Sequence, residues 1–282
     1  MMNRIRNRWS SSGRKRRTVV RGMALAAVLA AGVTNSASAI NVSVSGFDQA
    51  RNQDLLNFLQ ANFLNVNLSY GNYSDPANIP AGTDVLIIGR IVLSSDYANA
   101  VNSATFNGLN IPVVSLTSYV SRPDGGRWGW HSGAVAGGGS IAGNETTVTA
   151  DGAGIFGSAG PADWWSVSNA DSTFNAAGSG TVGTGQILAT IGGNILVAGW
   201  HAGDTSAGGV TFTADRLLFN LPDSDPNTGS GVVPNTVAGQ QAFIKALEAY
   251  TPLVAIVPEP SSAALLCLGG GSLFFMIRRR IR

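Results

Sequence analysis

Asp84-Val85-Leu86-Ile87-Ile88-Gly89 is a short, uninterrupted apolar run, which is typical of a strand buried on both faces of a parallel sheet. A second run of this kind is Ile111-Pro112-Val113-Val114-Ser115-Leu116. Between them, Ser95 to Phe106 is predicted to be a helix. A buried strand, a helix and another buried strand in this order predict an α/β fold built on a layered sheet.

The segment upstream of these runs extends the same pattern. Ile40 to Val44 and Asn65 to Tyr70 alternate apolar and polar residues, as strands do. Between them, Asp48 can cap a helix that runs to Phe63 and carries one apolar face. The first part of the chain is therefore predicted to run β-α-β-β-α-β, with right-handed crossovers.

The segment from Gly125 to Gly185 has a different composition, dominated by Gly, Ser, Ala, Asn and Thr. Thr146 to Thr149 and Trp164 to Val167 are predicted to be short strands within it. This composition predicts either a β-rich insertion or a long decorated loop.

Regular elements return after this insertion. Gly192-Gly193 separates two apolar runs, Ile187 to Ile191 and Asn194 to Gly199, which predicts a hairpin. Phe212 to Phe219 is predicted to be helical, and Val237 to Tyr250 is predicted to be the final amphipathic helix. A polar loop, Asp223 to Pro234, is expected between these two helices.

The chain begins with a pattern typical of a secretory signal peptide. A basic segment, Arg4 to Arg21, precedes an apolar run, Met23 to Val33, and the small-residue pattern Ala37-Ser38-Ala39 follows. Residues 1–39 are therefore expected to be removed by signal peptidase. Arg16-Arg17 also fits a twin-arginine pattern loosely, so both export routes stay open.

The chain ends with three parts in a fixed order. A Pro258-Glu259-Pro260 box precedes an apolar stretch from Ala263 to Ile277, and four arginines follow: Arg278, Arg279, Arg280 and Arg282. Arginines beside a membrane span stay cytoplasmic, which predicts an anchor helix with the preceding domain outside the cytoplasm. Residues 257–282 closely resemble the PEP-CTERM sorting signal. The resemblance implies recognition by an exosortase, a membrane transpeptidase that cuts near the box. It also implies transient anchoring, followed by display at the cell surface or in the matrix of an exopolysaccharide-producing Gram-negative bacterium.

The remaining residues, 40–256, are expected to form one exported domain. They contain six basic and fifteen acidic residues, a net charge of −9, and the basic residues are scattered along the sequence. A nucleic-acid-binding protein would show a clustered basic surface, so this class is excluded. The only cysteine, Cys267, lies in the C-terminal apolar stretch, so the domain has neither a disulfide nor a cysteine metal site.

The domain has buried strands and ends with a strand, a Trp-His-x-Gly motif, a loop and a helix. This layout resembles the class I glutamine-amidotransferase-like fold and the related ThuA-like domains. The resemblance implies a flavodoxin-like sheet. The catalytic residues of that family do not carry over. The turn after Val114 offers Ser115, Thr117 and Ser118 but no cysteine, and the expected acid two residues after His201 is replaced by Gly203. Ser118, one of the two histidines and Asp204 could in principle form a catalytic triad, but no Gly-x-Ser-x-Gly motif supports it.

Two similar motifs, Gly129-Trp130-His131-Ser132-Gly133 and Gly199-Trp200-His201-Ala202-Gly203, contain the only two histidines in the chain. Flanking glycines predict loops at strand ends, where α/β sheets bind ligands. Trp130, His131, Trp200, His201 and Arg127 are therefore candidate ligand-binding residues. The alternative is that both tryptophans pack beneath their loops. Two histidines without a third ligand predict no metal site, and no cofactor is expected.

These observations leave two hypotheses for the exported domain. The first is a non-catalytic surface or matrix protein that binds polysaccharide or a neighbouring surface protein. The second is an exported hydrolase that uses His131 or His201. The missing cysteine and glutamate of the amidotransferases favour the first hypothesis.

Overall fold

A computed structural model places nine strands in one mixed sheet, ordered β2-β1-β3-β4-β11-β10-β9-β6-β7. The structure describes residues 38–135, 139–140, 146–165, 173–174, 177–222, 234 and 236–256. The strands of this sheet are β1 (Ile40–Ser45), β2 (Val66–Gly71), β3 (Val85–Ile88), β4 (Val113–Ser115), β6 (Thr146–Val148), β7 (Gly160–Ala162), β9 (Gln186–Ile191), β10 (Asn194–Trp200) and β11 (Arg216–Phe219). A separate pair is formed by β5 (Gly139–Ser140) and β8 (Thr173–Phe174).

One half of the large sheet is parallel. β1 lies between β2 and β3, with Val42 paired to Leu68 on one side and to Val85 on the other. β4 lies between β3 and β11 and is parallel to both. The predictions of strands at Ile40–Val44, Asn65–Tyr70 and in the two buried apolar runs are therefore confirmed.

The other half is antiparallel. β9 and β10 form the predicted hairpin, and Gly192 and Gly193 both have positive φ angles, 54° and 81°, as a type I′ turn requires. β6 pairs with β9, and β7 pairs with β6 at the edge. Part of the Gly/Ser-rich insertion thus extends the main sheet. Trp164 and Trp165, predicted to begin a short strand, lie after β7 and outside it.

The helices cover both faces of the sheet. They are α1 (Gln53–Asn62), α2 (Ala100–Asn107), α3 (Ser118–Ser121), α4 (Ala153–Phe156) and α5 (Val237–Tyr250), with 3-10 turns at Ala50–Asn52 and Pro76–Asn78. Alternate residues of β3 point to different apolar clusters. Val85 and Ile87 pack with residues of α1 and α5, whereas Leu86 and Ile88 pack with Phe106 of α2. This two-sided burial explains why β3 is apolar at every position.

The boundaries of the helices show where the sequence patterns were incomplete. α5 has the predicted bounds, and the Thr236 side chain caps it by accepting a hydrogen bond from the Gly239 amide at 2.9 Å. α2 begins five residues later than predicted, because the Asn99 side chain accepts hydrogen bonds from the amides of Val101 and Asn102 and fixes the start of the helix there.

The prediction of a helix from Phe212 to Phe219 was wrong. Arg216 to Phe219 form β11, which is fully buried between β4 and β10. A run of three apolar residues is too short to show a helical period, and an apolar run of this length fits a strand buried on both faces.

Several sequence predictions concern residues outside the described part of the chain. They are most of the signal peptide, the polar loop from Asp223, the Pro258-Glu259-Pro260 box and the anchor helix with its arginines. No helix within the described ranges is both long and apolar enough to cross a membrane.

Candidate anion-binding site

A short loop after α3 carries two arginines, Arg122 and Arg127, in the sequence Arg-Pro-Asp-Gly-Gly-Arg. The two arms of the loop are joined by backbone hydrogen bonds, from the Trp128 amide to the Val120 carbonyl at 3.3 Å and from the Trp130 amide to the Ser121 carbonyl at 2.8 Å. Its tip turns through two glycines with φ angles of 64° and 72°, which other residues rarely adopt. These backbone hydrogen bonds hold the two arms of the loop together.

The base of this arginine loop is anchored in the core. Trp128 packs on Phe106 with ring centroids 4.9 Å apart, and Trp130 packs on Trp200 at 5.6 Å. The Asn107 side chain donates to the Trp128 carbonyl at 3.0 Å and accepts from Trp130 Nε1 at 2.8 Å. Because these contacts are buried, they fix the position of the loop relative to α2.

Two guanidinium groups lie close to the ring of Tyr119. The Arg122 Cζ atom is 5.5 Å from the ring centroid, and the Arg90 Cζ atom is 5.9 Å from it. Both distances lie in the range of cation–π contacts. Arg90 follows β3 and is only 5% exposed, with its Nε donating to the Leu221 carbonyl at 2.9 Å. Arg90 therefore adds positive charge beneath the site, while Arg122 is the more accessible of the two.

The third guanidinium belongs to Arg127. Its Nη2 donates to Ser94 Oγ at 3.4 Å, and its Nη1 donates to the Asp124 carbonyl at 3.4 Å. Burial lowers the pKa of Arg127, the positive charge of Arg122 lowers it further, and the charge of Asp124 opposes the shift. The like charges of the two loop arginines thus repel each other. One carboxylate, Asp124, offsets part of this charge by pairing with Arg122 Nε at 2.8 Å.

This arrangement suits the recognition of an anion. Guanidinium groups donate paired hydrogen bonds that match the geometry of carboxylate, sulfate and phosphate groups. The site follows the carboxyl ends of β3 and β4, and ligands of open α/β sheets bind at this edge. An anion bridging Arg122 and Arg127 would relieve their mutual repulsion.

The structure places the two predicted tryptophans in the core. Trp130 and Trp200 are both fully buried and pack against each other and against Phe212. Trp200 Nε1 donates to the Val182 carbonyl at 2.6 Å. Their rings pack beneath the loops that follow them, so neither presents an open face to solvent in this conformation.

The two histidines lie in unlike environments. His131 is fully buried between Ser121 Oγ, 3.1 Å from its Nε2, and the Gly133 carbonyl, 2.9 Å from its Nδ1. Burial lowers its pKa to about 4, against the raising effect of its backbone hydrogen bonds to Gly133 and Ser118. His131 is therefore neutral at physiological pH.

His201 is accessible, with its side chain 60% exposed. Its ring stacks on Tyr250 at a centroid distance of 4.9 Å, and its Nδ1 lies 3.4 Å from Asp215 Oδ2. Asp204 binds the backbone amide of His201 at 2.8 Å, rather than its ring. The Ser118–histidine–Asp204 set considered from the sequence is therefore not assembled within the described residues, because Ser118 is buried near the other histidine.

Arg127 was a candidate from the sequence, but the grouping of its loop neighbour Arg122 with Arg90 at the Tyr119 ring was not predicted. The residues were scored as scattered because Arg90 and Arg122 are 32 positions apart in the sequence. A usable signal was present, since Arg90 follows the first buried apolar run and Tyr119 lies three residues after the second. Parallel neighbouring strands bring the residues after their carboxyl ends together.

Comparison with known proteins concerns the C-terminal tail. Residues 257–280 match the family model described as the PEP-CTERM protein-sorting motif. No curated protein matches the chain. The resemblance stated from the sequence is thereby confirmed for the tail, and the amidotransferase-like layout of the domain stays a prediction. The chain carries a PEP-CTERM motif, which marks it as an exported, exosortase-sorted protein directed to the cell surface.

Proposed function

We propose that the exported domain, residues 40–256, is a non-catalytic module that binds acidic polysaccharide through Arg122 and Arg127. The observation that carries this proposal is that Arg122 and Arg90 both lie at the Tyr119 ring, while the positive charge of Arg122 also acts on Arg127 in the same loop. Three of the six basic residues of a domain with a net charge of −9, Arg90, Arg122 and Arg127, thus lie in this loop or beside it.

The charge distribution supports a local and selective contact. Elsewhere the acidic domain repels a polyanion, so binding is confined to the arginine loop and is sensitive to salt. Arg122 already pairs with Asp124, whose side chain is 65% exposed. Exposed ion pairs of this kind contribute little to stability, so a ligand carboxylate can join or replace Asp124 at small cost.

The position of the loop in the fold also supports the proposal. We infer a flavodoxin-like core from the order of the parallel strands, β2-β1-β3-β4-β11, which has the 2-1-3-4-5 pattern of that fold. In such sheets the carboxyl ends of the strands form the ligand crevice. Arg90 and Tyr119 follow β3 and β4 at this edge.

The proposed cellular context joins the domain to its tail. Signal peptidase removes residues 1–39, the C-terminal segment holds the protein in the membrane, and exosortase then cuts near the Pro258-Glu259-Pro260 box. The domain is thereby delivered to the surface or matrix of a Gram-negative cell. Exopolysaccharide carrying uronic acids is the polyanion that such a domain would meet there.

Calorimetric titration with an oligogalacturonate tests the binding proposal. Replacing Arg122 and Arg127 by Gln should weaken binding by roughly tenfold or more, since each charge-assisted hydrogen bond contributes about 1.5–3 kcal/mol. Arg51→Gln is the matched control, because Arg51 carries the same charge outside the loop. Equal affinity in the wild type and the double variant would refute the proposal, as would equal binding of a neutral oligosaccharide.

The alternative function, an exported hydrolase, has one observation in its favour. His201 is exposed, and the Asp215 carboxylate lies near its Nδ1. A carboxylate in this position can orient a histidine that acts as a general base through its other ring nitrogen. Turnover of ester, amide or glycoside substrates that is lost in His201→Gln would favour this alternative over the binding module.

A further inference from the structure

Both ends of the exported domain meet at one corner of the sheet. At the first end, the Ile40 amide donates to the Asn65 carbonyl at 2.8 Å. At the other end, the Leu64 amide donates to the Val254 carbonyl at 2.9 Å, and the Ile256 amide donates to the Asn62 carbonyl at 2.7 Å. The residues before the sorting motif are therefore hydrogen-bonded to the same four-residue turn as the first strand.

This turn is firmly built. α1 ends at Asn62, and Phe63 continues in an extended conformation that forms a bridge with Ala255. Asn65 then takes a left-handed conformation with a φ angle of 51° and redirects the chain into β2. Phe63 and Leu253 are 2% and 3% exposed, so apolar contacts fix both strands of the bridge to the core.

The outer surface of this corner is apolar. Leu64, Val254 and Ile256 are 45%, 53% and 42% exposed. Only seven large hydrophobic side chains are exposed to this degree in the described part of the chain, and three of them lie on these two hydrogen-bonded segments. These exposed apolar side chains are concentrated where the chain leaves the domain. A surface of this kind is typical of a site that contacts a membrane or another protein.

The corner and the arginine loop lie at opposite edges of the parallel sheet. β1 and β2 begin at the corner, with Ile40 and Val66, whereas the loop follows the carboxyl end of β4. A domain resting on the corner would therefore direct Arg122 and Arg127 away from the surface beneath it.

We propose that this corner, Leu64 with Val254 and Ile256, is the membrane-facing surface of the domain and contacts lipid until exosortase cuts the tail. The sorting motif begins at residue 257, directly after Ile256, and only residues 257–262 separate the corner from the apolar stretch that begins at Ala263. The proposal rests on the anchoring of the tail in the proposed function and does not depend on the ligand of the arginine loop.

Fluorescence quenching in vesicles tests this proposal with the full chain. Cys267→Ser removes the only cysteine, and Leu64→Cys then allows a single fluorescent label. Leu93→Cys is the matched control, because Leu93 is 52% exposed and follows β3 at the opposite edge. In vesicles of phosphatidylethanolamine and phosphatidylglycerol containing nitroxide-labelled lipid, the label at 64 should lose fluorescence and the label at 93 should keep it.

Equal quenching at both positions would overturn the proposal. A change in the fluorescence of the label at 64 that occurs only when the vesicles contain exosortase would also overturn it, because the corner would then be a contact surface for that enzyme. A variant with a flexible Gly/Ser insert of about 20 residues after Ile256 distinguishes lipid contact by the corner from mere closeness of the corner to the membrane. The insert extends roughly 25 Å on average, so tethering alone would no longer hold the corner at the lipid. Quenching at 64 should survive this insert, and its loss would contradict the lipid contact. Oligogalacturonate binding would be unchanged by either failure, so the two proposals fail separately.

Discussion

The buried imidazole of His131 predicts a specific dependence of stability on pH. The ring is enclosed by Ser121 and Gly133, and burial lowers its pKa to about 4. In the unfolded chain the same ring has an ordinary pKa of about 6.5. Below that value the unfolded state binds a proton that the folded state does not, so folding is destabilised as the pH falls.

The magnitude follows from these two pKa values. The contribution is fully present above about pH 6.5 and is lost progressively toward about pH 4. Between about pH 7.5 and about pH 5 the loss is about 2 kcal/mol, and the limit at lower pH is about 3 kcal/mol. This is a large share of the stability of an ordinary domain.

Urea denaturation at about pH 7.5 and about pH 5, in the wild type and in His131→Gln, measures this pH-dependent contribution to the free energy of unfolding. The variant should be less stable than the wild type at neutral pH, but its further loss on acidification should be smaller by about 2 kcal/mol. His201→Gln is the matched control, since it removes the only other histidine from an exposed position. Parallel pH dependence in the wild type and His131→Gln would refute the reasoning.

Three further predictions concern the core and the tail. Arg216 is fully buried and donates to six backbone carbonyls, so Arg216→Met should cost at least about 3 kcal/mol in urea denaturation. A Cβ atom on Gly199 would overlap the Tyr250 ring, so Gly199→Ala should destabilise the fold by about 1–3 kcal/mol in the same assay. Replacing residues 258–260 by alanines should leave export intact but abolish processing of the tail, as seen by the mass of the surface protein.

Each of these predictions has a contrasting variant or outcome. Arg216→Lys keeps the charge without the forked donors and should recover only part of the loss; full recovery would show that the charge alone matters. Gly154 lies in α4 with open space around the position of a Cβ atom, so Gly154→Ala should raise stability by about 0.5 kcal/mol. A comparable loss at both glycines would contradict the steric argument. An unchanged processed mass in the alanine variant would rule out exosortase recognition of the box.

The elements that the sequence predicted best are those defined by local signals. The Gly192-Gly193 pair allows only a tight turn between two apolar runs, and Val237 to Tyr250 combine a helical period with a threonine cap. β11 was missed because its three apolar residues carry no period. Its identity depends on burial between β4 and β10, which are distant in sequence.

The candidate site shows the same limit. The two Trp-His motifs have nearly identical sequences, yet His131 is buried and His201 is exposed, because the elements packed against each residue differ. In the arginine loop, Arg127 was a candidate ligand-binding residue from the sequence. Its position beside Arg90 depends on the pairing of β3 with β4, which the sequence indicates only once both apolar runs are recognised as neighbouring parallel strands.

Chemical-shift mapping of the exported domain during titration with a galacturonic acid oligosaccharide tests the central claim most directly. We expect the largest backbone amide shifts to fall on Tyr119, Arg122 and residues 125–127, and to disappear at high salt. Shifts centred on His201 and Asp215, or no shifts at concentrations that saturate acidic-glycan binders, would contradict the arginine loop as the binding site.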